Sequence, residues 1–290
     1  MWKIAFLTPV ILTLSLNASS ADMFIGHAYY SKCPYVGCVD DKIYARPLFK
    51  KTQNGWQVFP NGDDIGNIPD DLRRSYKLFP SEIKWNIFNK NHSLIGKKTV
   101  KNDKPVSGGI NAGAAEMQVD IGLINPDKKI FYDQSADLIL STNKNVVFSK
   151  FNTRETTDIE IYESAVKNIR SAENKADIIG SIEKSATIYS IENVDVIAIL
   201  NFTQITEEII DTDCVVLTKT GDKWEFVFDG RSFGYDDERK VWFELRIIAD
   251  FDNDGKNEYI FDLSSGVNGF GYVLWHDVIT KPLVYKFYIH

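Results

Sequence analysis

Short runs of β-branched and aromatic residues, separated by polar turns, dominate the second half of the chain. These runs lie at 194–200, 214–218, 223–228, 242–248, 259–263, 270–275 and 283–288. They follow one another without helical segments between them, which favours antiparallel hairpins over a parallel sheet. Weaker runs of the same kind occur at 42–49, 55–59, 83–88 and 117–121. The pattern predicts a mainly β fold of the α+β type, built from antiparallel sheets and hairpins.

One segment has helical periodicity instead. Between 157 and 174, apolar side chains recur at three- and four-residue spacings, at Tyr162, Ala165, Val166, Ile169 and Ala172. Thr157 or Asp158 would be the N-cap of this helix. The pattern predicts one main helix at about 157–174 that packs through a single face.

Two segments share the order of a strand, a polar turn and a second strand that opens with tryptophan. They are 48–59, which contains Trp56, and 216–228, which contains Trp224. Each predicts a β-hairpin whose tryptophan faces a core. Their similarity is compatible with duplication of a β unit and also with chance, because β-hairpins resemble one another.

The N-terminus has the features of a secretory signal peptide. Lys3 supplies positive charge, the thirteen residues 4–16 are largely apolar, and small residues end at Ala21. A transmembrane helix needs about 20 apolar residues, so this run is too short to span a bilayer. We expect cleavage near Ala21 and a periplasmic or secreted protein without membrane insertion.

The remaining length favours two domains, a β-rich one at 22–150 and an α+β one at 151–290.

Acidic side chains outnumber basic ones by 40 to 33, which gives a formal net charge of −7 without any lysine or arginine cluster. Nucleic acid is a poor partner for such a surface.

Cys33 and Cys38 are close enough in sequence to pair, and export would place them where disulfides persist, so we expect a local disulfide. Cys214 precedes an apolar run and is expected to be a buried thiol.

The densest group of carboxylates lies within the nine residues 250–258. Positions 1, 3, 5 and 9 of this segment carry Asp250, Asp252, Asp254 and Glu258. Alternate side chains of a tight loop converge on one point, and Ca²⁺ prefers about six to eight oxygen ligands. Together with the carbonyl of Lys256, these carboxylates would hold the ion, while Gly255 at position 6 allows the sharp turn. The competing interpretation is an acidic, solvated turn that holds no ion.

The segments that flank this loop are strand-like, and position 12 carries Phe261 where an EF-hand has glutamate. The segment 249–260 resembles instead the calcium loop of FG-GAP and VCBS-type repeats, the units of integrin-like β-propellers. The resemblance covers these twelve residues. It implies a single β-hairpin that Ca²⁺ stabilises, with a structural rather than a catalytic role for the ion.

Aromatic side chains and one glycine-rich segment are candidates for contact with a partner. The aromatic group comprises Tyr29, Tyr30, Tyr272, Trp275, Tyr285 and Tyr288. These rings either fill the cores of the sheets or form a surface for a sugar or a protein. The segment 264–272 follows the calcium loop, and we expect a partner to bind there because an ion would stiffen the adjacent hairpin.

Catalytic motifs do not stand out. The sequence has no His-x-x-x-His pair and no Gly-x-Ser-x-Gly elbow. His276 and Asp277 form the most suggestive dyad, but neighbours in a strand point to opposite faces, which favours a surface histidine.

The leading hypothesis is a non-enzymatic, calcium-stabilised binding protein whose partner is another protein, an envelope component or an effector, as for a periplasmic immunity or inhibitor protein. The alternatives are an exported hydrolase that acts on cell-wall or carbohydrate substrates through carboxylates from distant strands, and an adhesin or propeller subunit.

Overall fold

A computed structural model describes residues 22–31, 42–59, 82–101, 117–118, 138–157, 159–166, 183–205, 210–229, 241–265, 269–276 and 281–288. The strands in these residues form three antiparallel sheets. The mainly antiparallel β fold expected from the sequence is therefore confirmed. The segment 1–21, predicted to be a signal peptide, and the predicted disulfide pair Cys33 and Cys38 lie outside the described residues. The division into two domains stays a prediction.

The N-terminal sheet is built from the first part of the chain. Its strands are β1 (Met23–Ser31), β2 (Lys42–Thr52), β3 (Gly55–Val58), β4 (Glu82–Phe88), β5 (Leu94–Lys101), β6 (Met117–Gln118) and β7 (Ile139–Ser141). Their order across the sheet is β3-β2-β1-β7-β4-β5, and β6 pairs with β2. Residues on both of its faces are buried, so the sheet contributes to two hydrophobic clusters.

Two further sheets follow. The remaining strands are β8 (Val147–Phe148), β9 (Phe151–Thr156), β10 (Glu183–Ile191), β11 (Val194–Ile205), β12 (Ile210–Thr220), β13 (Lys223–Asp229), β14 (Val241–Asp250), β15 (Glu258–Ser265), β16 (Gly269–Trp275) and β17 (Leu283–Tyr288). The middle sheet has the order β17-β16-β15-β14-β8, and the outer sheet has the order β13-β12-β11-β10-β9.

The middle sheet packs against a sheet on each of its faces. One face contributes Phe243, Leu245 and Phe261 to a core shared with the outer sheet, which also buries Cys214 as expected. The opposite face contributes to a core shared with the N-terminal sheet, through Ile247, Ala249, Phe251, Ile260, Tyr272, Leu274 and Tyr285. Tyr272, Trp275 and Tyr285 are all buried, so these three aromatic residues fill cores rather than form a surface.

A β-bulge in β14 explains how one strand serves both cores. The pairing of β14 with β15 shifts register between Leu245 and Ile247. Strand side chains alternate between faces, so an unbroken β14 would place Leu245 and Ile247 on the same face. The bulge turns Ile247 and the residues after it over, and Ile247 joins the core of the N-terminal sheet while Leu245 remains against the outer sheet. The end of β14 thus reaches the N-terminal sheet.

Both tryptophan hairpins expected from the sequence are present. The β2–β3 hairpin pairs Thr52 with Gly55, and the β12–β13 hairpin pairs Thr220 with Lys223. Trp56 and Trp224 are both buried. In each hairpin a lysine lies over the indole ring, Lys51 at 5.4 Å from the Trp56 centroid and Lys219 at 5.5 Å from that of Trp224.

The main helix expected at 157–174 is not supported. In the described part of the chain, helical structure is confined to α1 (Ile159–Val166), which has eight residues, and 167–174 lie outside it. Ile159, Ile161 and Val166 are β-branched and lower the helix propensity of the segment. Ile161 is fully buried against the face of the outer sheet that is turned away from the middle sheet, which explains why this turn of helix forms. None of the described helical residues belongs to a stretch long and apolar enough to cross a membrane.

Candidate metal centre

The carboxylate-rich segment forms the turn of the β14–β15 hairpin. Asp250 is the last residue of β14 and Glu258 is the first residue of β15. Two residues of the turn have left-handed backbone conformations, Asn253 with φ of 59° and Gly255 with φ of 86°. A Cβ atom on Gly255 would meet no other atom within 4 Å, so glycine is favoured there by its backbone conformation and not by lack of space. This conformation folds the loop back on itself.

The fold brings three aspartates together. One ligand oxygen from each of Asp250, Asp252 and Asp254 lies within 4.8 Å of the others. Backbone N–H groups of the loop orient all three carboxylates, and Asp254 N–H donates to Asp252 Oδ1 at 3.2 Å. Gly255 N–H donates to Asp250 Oδ2 at 3.0 Å, and Lys256 N–H donates to Asp254 Oδ1 at 2.9 Å. The three side chains are therefore held in place by the loop itself.

A lysine from the N-terminal sheet provides the positive charge beside this triad. Lys51 Nζ lies 2.5 Å from Asp252 Oδ2, at ion-pair distance but outside hydrogen-bond alignment. The Asp252 side chain is only 9% exposed, and its Oδ2 atom accepts no hydrogen bond. Buried carboxylate oxygens normally have a hydrogen-bond or metal partner. The Lys51 ammonium is one such charged partner, and a cation bound among the aspartates would share this carboxylate with it or displace it.

Glu258 has a different position from the three aspartates. Its side chain is buried beneath the loop, at 1% exposure. Trp56 Nε1–H donates to its Oε1 atom at 3.2 Å, and Phe251 N–H donates to its Oε2 atom at 2.7 Å. Burial raises the pKa of Glu258 to about 8, against the opposing effect of the Phe251 hydrogen bond, and the charges of Asp252 and Asp254 raise it further. Glu258 therefore joins the loop to the N-terminal sheet.

The residues before β8 brace the loop from its other side. Asn143 Nδ2–H donates to the Phe251 carbonyl at 2.6 Å and to Asn253 Oδ1 at 2.7 Å. Asn253 Nδ2–H in turn donates to the Asn145 carbonyl at 2.9 Å. These bonds join positions more than 100 residues apart in sequence and hold the turn against the segment 142–149.

The donor set of this loop fits a hard divalent cation. Three carboxylates supply oxygen ligands, which is the ligand type that Ca²⁺ takes. Of the five predicted ligands, the structure groups Asp250, Asp252 and Asp254, and it does not group Glu258 with them. Lys256 lies exposed in the turn, where its carbonyl stays a predicted ligand. The aspartates would hold the ion and its charge would offset theirs, so the chemistry available here is structural stabilisation.

The other candidate positions are placed as follows. His276 directly follows β16 and is partly buried, while Asp277 lies outside the described residues. The segment 264–272, expected as a binding loop, consists largely of the ends of β15 and β16, and only 266–268 separates those strands. No sequence pattern indicated a role in the loop for Lys51 or Asn143, or a contact between Trp56 and Glu258. The only local signal that could have drawn attention to Asn143 is the polar run at 142–145.

The fold and the loop define a β-rich protein with a candidate divalent-cation site in a β-hairpin. No match is found between this chain and known protein-family models, curated proteins or solved structures. The resemblance of 249–260 to FG-GAP and VCBS-type loops therefore stays a prediction from its own residues.

Replacement of Lys51 by methionine is expected to strengthen Ca²⁺ binding about tenfold, because the ammonium group no longer repels the incoming cation. Methionine keeps an apolar stem against Trp56. In chelator the variant should unfold with a free energy lower by about 1 kcal/mol, since Asp252 loses its counter-ion. Calorimetric titration with Ca²⁺ and denaturant unfolding measure the two effects.

The matched control is Lys50→Met. Lys50 is the neighbour of Lys51 on β2, and its ammonium group lies 2.6 Å from Asp22 instead of the loop. The control should leave the affinity for Ca²⁺ unchanged. Equal affinities in Lys51→Met and in the unaltered protein would show that the cation binds away from Asp252.

Proposed function

We propose that this chain is an exported, calcium-stabilised, non-enzymatic binding module that acts on another protein, as a periplasmic immunity or inhibitor protein does. The observation that carries the calcium part is the grouping of Asp250, Asp252 and Asp254 within 4.8 Å in a hairpin turn. The turn is also where the middle sheet meets the N-terminal sheet, through Lys51 and through Trp56. An ion bound there would stabilise the contact between two layers of the fold.

The binding part of the proposal is supported by the sequence and by the surface. The N-terminal segment has the pattern of a cleaved signal peptide, which would place the chain in the periplasm or the medium. The acidic composition disfavours nucleic acid as a partner. A large aromatic residue, Trp242, is 42% exposed on β14, and exposed tryptophan is enriched where proteins contact one another.

An exported hydrolase is the second candidate, and one observation favours it. Glu244 and Asp262 are directly opposite each other in the β14–β15 ladder and line the same groove. Two facing carboxylates are the usual catalytic pair of glycoside hydrolysis. Arg246 binds both oxygens of Asp262, at 3.1 and 3.0 Å, and thereby occupies one member of that pair. We therefore place this candidate below the binding protein.

Affinity capture tests the proposed function. Protein without residues 1–21 is immobilised and exposed to envelope and secreted fractions of the source organism, in Ca²⁺ and in chelator. The expected result is one stoichiometric protein partner in Ca²⁺, with weaker capture in chelator because the hairpin loses its ion. Absence of a protein partner in both conditions, together with turnover of a cell-wall polysaccharide that Glu244→Gln abolishes, would replace the proposal with the hydrolase.

A further inference from the structure

A groove is lined by β14, at one edge of the middle sheet, and by β9 and β10 of the outer sheet. Its volume is about 1060 Å³. β9 and β10 form one wall, and β14, β15 and β16 form the other. Phe151 and Tyr189 both line the groove, and their rings pack edge to face with centroids 5.5 Å apart. The groove is distinct from the carboxylate-rich segment 250–258, because none of the residues of that segment lines it.

The two strands at the mouth of this groove are edge strands. β9 pairs with β10 on one side, and no described strand pairs with its other side. β14 pairs with β15 along its length, but on the other side it pairs with β8 only at Ala249 and Asp250. Ser149 N–H also donates to the Ile248 carbonyl at 2.9 Å, so among the described strands none covers the outer edge of 241–247. Such edges accept an added strand from another chain.

One hydrogen bond joins the backbone of β14 to a side chain of the outer sheet. Leu245 N–H donates to the Tyr189 hydroxyl at 3.4 Å, across the space between the two sheets. The backbone of β14 thus directs a donor toward the groove, and a side chain of the outer sheet accepts it. An extended segment in the groove would meet backbone groups of β14 in the same direction.

The side chains that line the groove indicate which kind of ligand would bind there. Trp242 supplies an exposed aromatic surface. Glu155 and Glu244 are exposed carboxylates, one on each wall. Arg246 donates to both carboxylate oxygens of Asp262, so the charges of this pair offset each other. The charge left for a ligand is therefore negative, which favours basic groups and disfavours anions.

The geometry points to a peptide-binding groove in which an extended, lysine- or arginine-bearing segment of a partner protein adds as a strand between β9 and β14. Its backbone pairs with the strand edge, an apolar side chain packs on Trp242, and its basic side chains approach Glu155 and Glu244. This inference rests on the protein-binding function proposed above and names the partner's chemistry. A sugar would use the aromatic surface but would leave the strand edge without a pairing partner, so the peptide accounts for more of the groove.

Selection from a random peptide display library tests this site with the protein lacking residues 1–21. The enriched peptides are expected to carry basic residues in alternation with apolar ones. Trp242→Ala should weaken their binding about 30-fold, because a central aromatic contact is lost. Glu244→Lys should weaken it about tenfold, with a larger difference at low salt because the attraction is electrostatic.

The matched control is Glu163→Lys, which makes the same charge reversal at an exposed position of α1, on the far side of the outer sheet. The control should bind the peptides like the unaltered protein. All three positions are exposed, so equal unfolding midpoints will show that the variants are folded. The inference is overturned if no peptides are enriched, if Glu244→Lys binds them unchanged, or if neutral oligosaccharides bind instead in a manner that Trp242→Ala abolishes.

The affinity capture described above separates this inference from the proposed function. If Trp242→Ala and Glu244→Lys still capture the same partner with unchanged affinity, the protein is a binding module that uses another surface, and the groove assignment is wrong. If the unaltered protein captures no partner and enriches no peptides, both proposals fail. Loss of the partner in the two groove variants, with retention in Glu163→Lys, supports both.

Discussion

Replacement of Phe251 by alanine is expected to lower the free energy of unfolding by about 3–5 kcal/mol. Phe251 is position 2 of the carboxylate-rich loop, yet its side chain is fully buried in the core between the middle and N-terminal sheets. Its ring contacts that of Phe148, with centroids 6.0 Å apart. Truncation would remove this burial and leave a cavity at the base of the loop, since the surrounding strands cannot collapse into it.

Denaturant unfolding in chelator measures this loss without the contribution of an ion. Phe251→Leu is the matched control, because it keeps most of the buried volume and should cost about 1 kcal/mol. Val147→Ala, at a residue exposed on β8 beside the loop, should change stability by less than about 0.5 kcal/mol. A loss below about 1 kcal/mol for Phe251→Ala would mean that the loop is not anchored in the core between the sheets.

The hairpins were predictable because their signals are local. In 48–59 and in 216–228, a polar turn separates two apolar runs, and both segments form the expected hairpins. β9 was missed because its residues are mostly polar and four of the six are exposed. It is a strand because β10, more than 25 residues later, pairs with it from Phe151 to Thr156. Long-range pairing of this kind leaves no trace in the alternation of a single segment.

For the helix, a local signal was present but the predicted main helix is not supported. The three- and four-residue spacings in 157–174 are a local signal, but the described helix covers only Ile159–Val166. Ile161 is a fully buried anchor that packs on the outer sheet. Isolated helices of eight residues are marginal, so the described helix depends on its tertiary contact and not on periodicity alone.

Only part of the candidate site could be predicted from the sequence. Asp250, Asp252 and Asp254 could be grouped from their spacing, because a tight turn brings alternate residues together within a few positions. Glu258 follows the same spacing but belongs to β15, where it shares a face with Ile260 that packs on the N-terminal sheet. Its contact with Trp56 joins residues 202 positions apart. Neither that contact nor the approach of Lys51 to Asp252 could be read from the loop's own sequence.

The double replacement of Asp252 and Asp254 by alanine is expected to abolish stabilisation by Ca²⁺. An ion that binds only the folded protein adds RT ln(1 + [L]/Kd), which is roughly 2.7 kcal/mol at a hundredfold excess over Kd. The double variant keeps Asp250 but loses two of the three grouped carboxylates, so the cation has too few charged ligands. Denaturant unfolding in saturating Ca²⁺ and in chelator should give equal free energies for this variant and different ones for the unaltered protein.

Asp222→Ala together with Glu163→Ala is the matched control, since it removes two exposed carboxylates from other parts of the fold. The control should retain the full response to Ca²⁺, which excludes a general effect of lowered negative charge. Mg²⁺ should stabilise the unaltered protein less than Ca²⁺ does, because Mg²⁺ requires shorter, nearly octahedral coordination that a flexible loop provides poorly. A calcium response that persists in the Asp252 and Asp254 double variant would show that the ion binds elsewhere, and the loop would then be an acidic turn held by its own N–H groups and by Lys51.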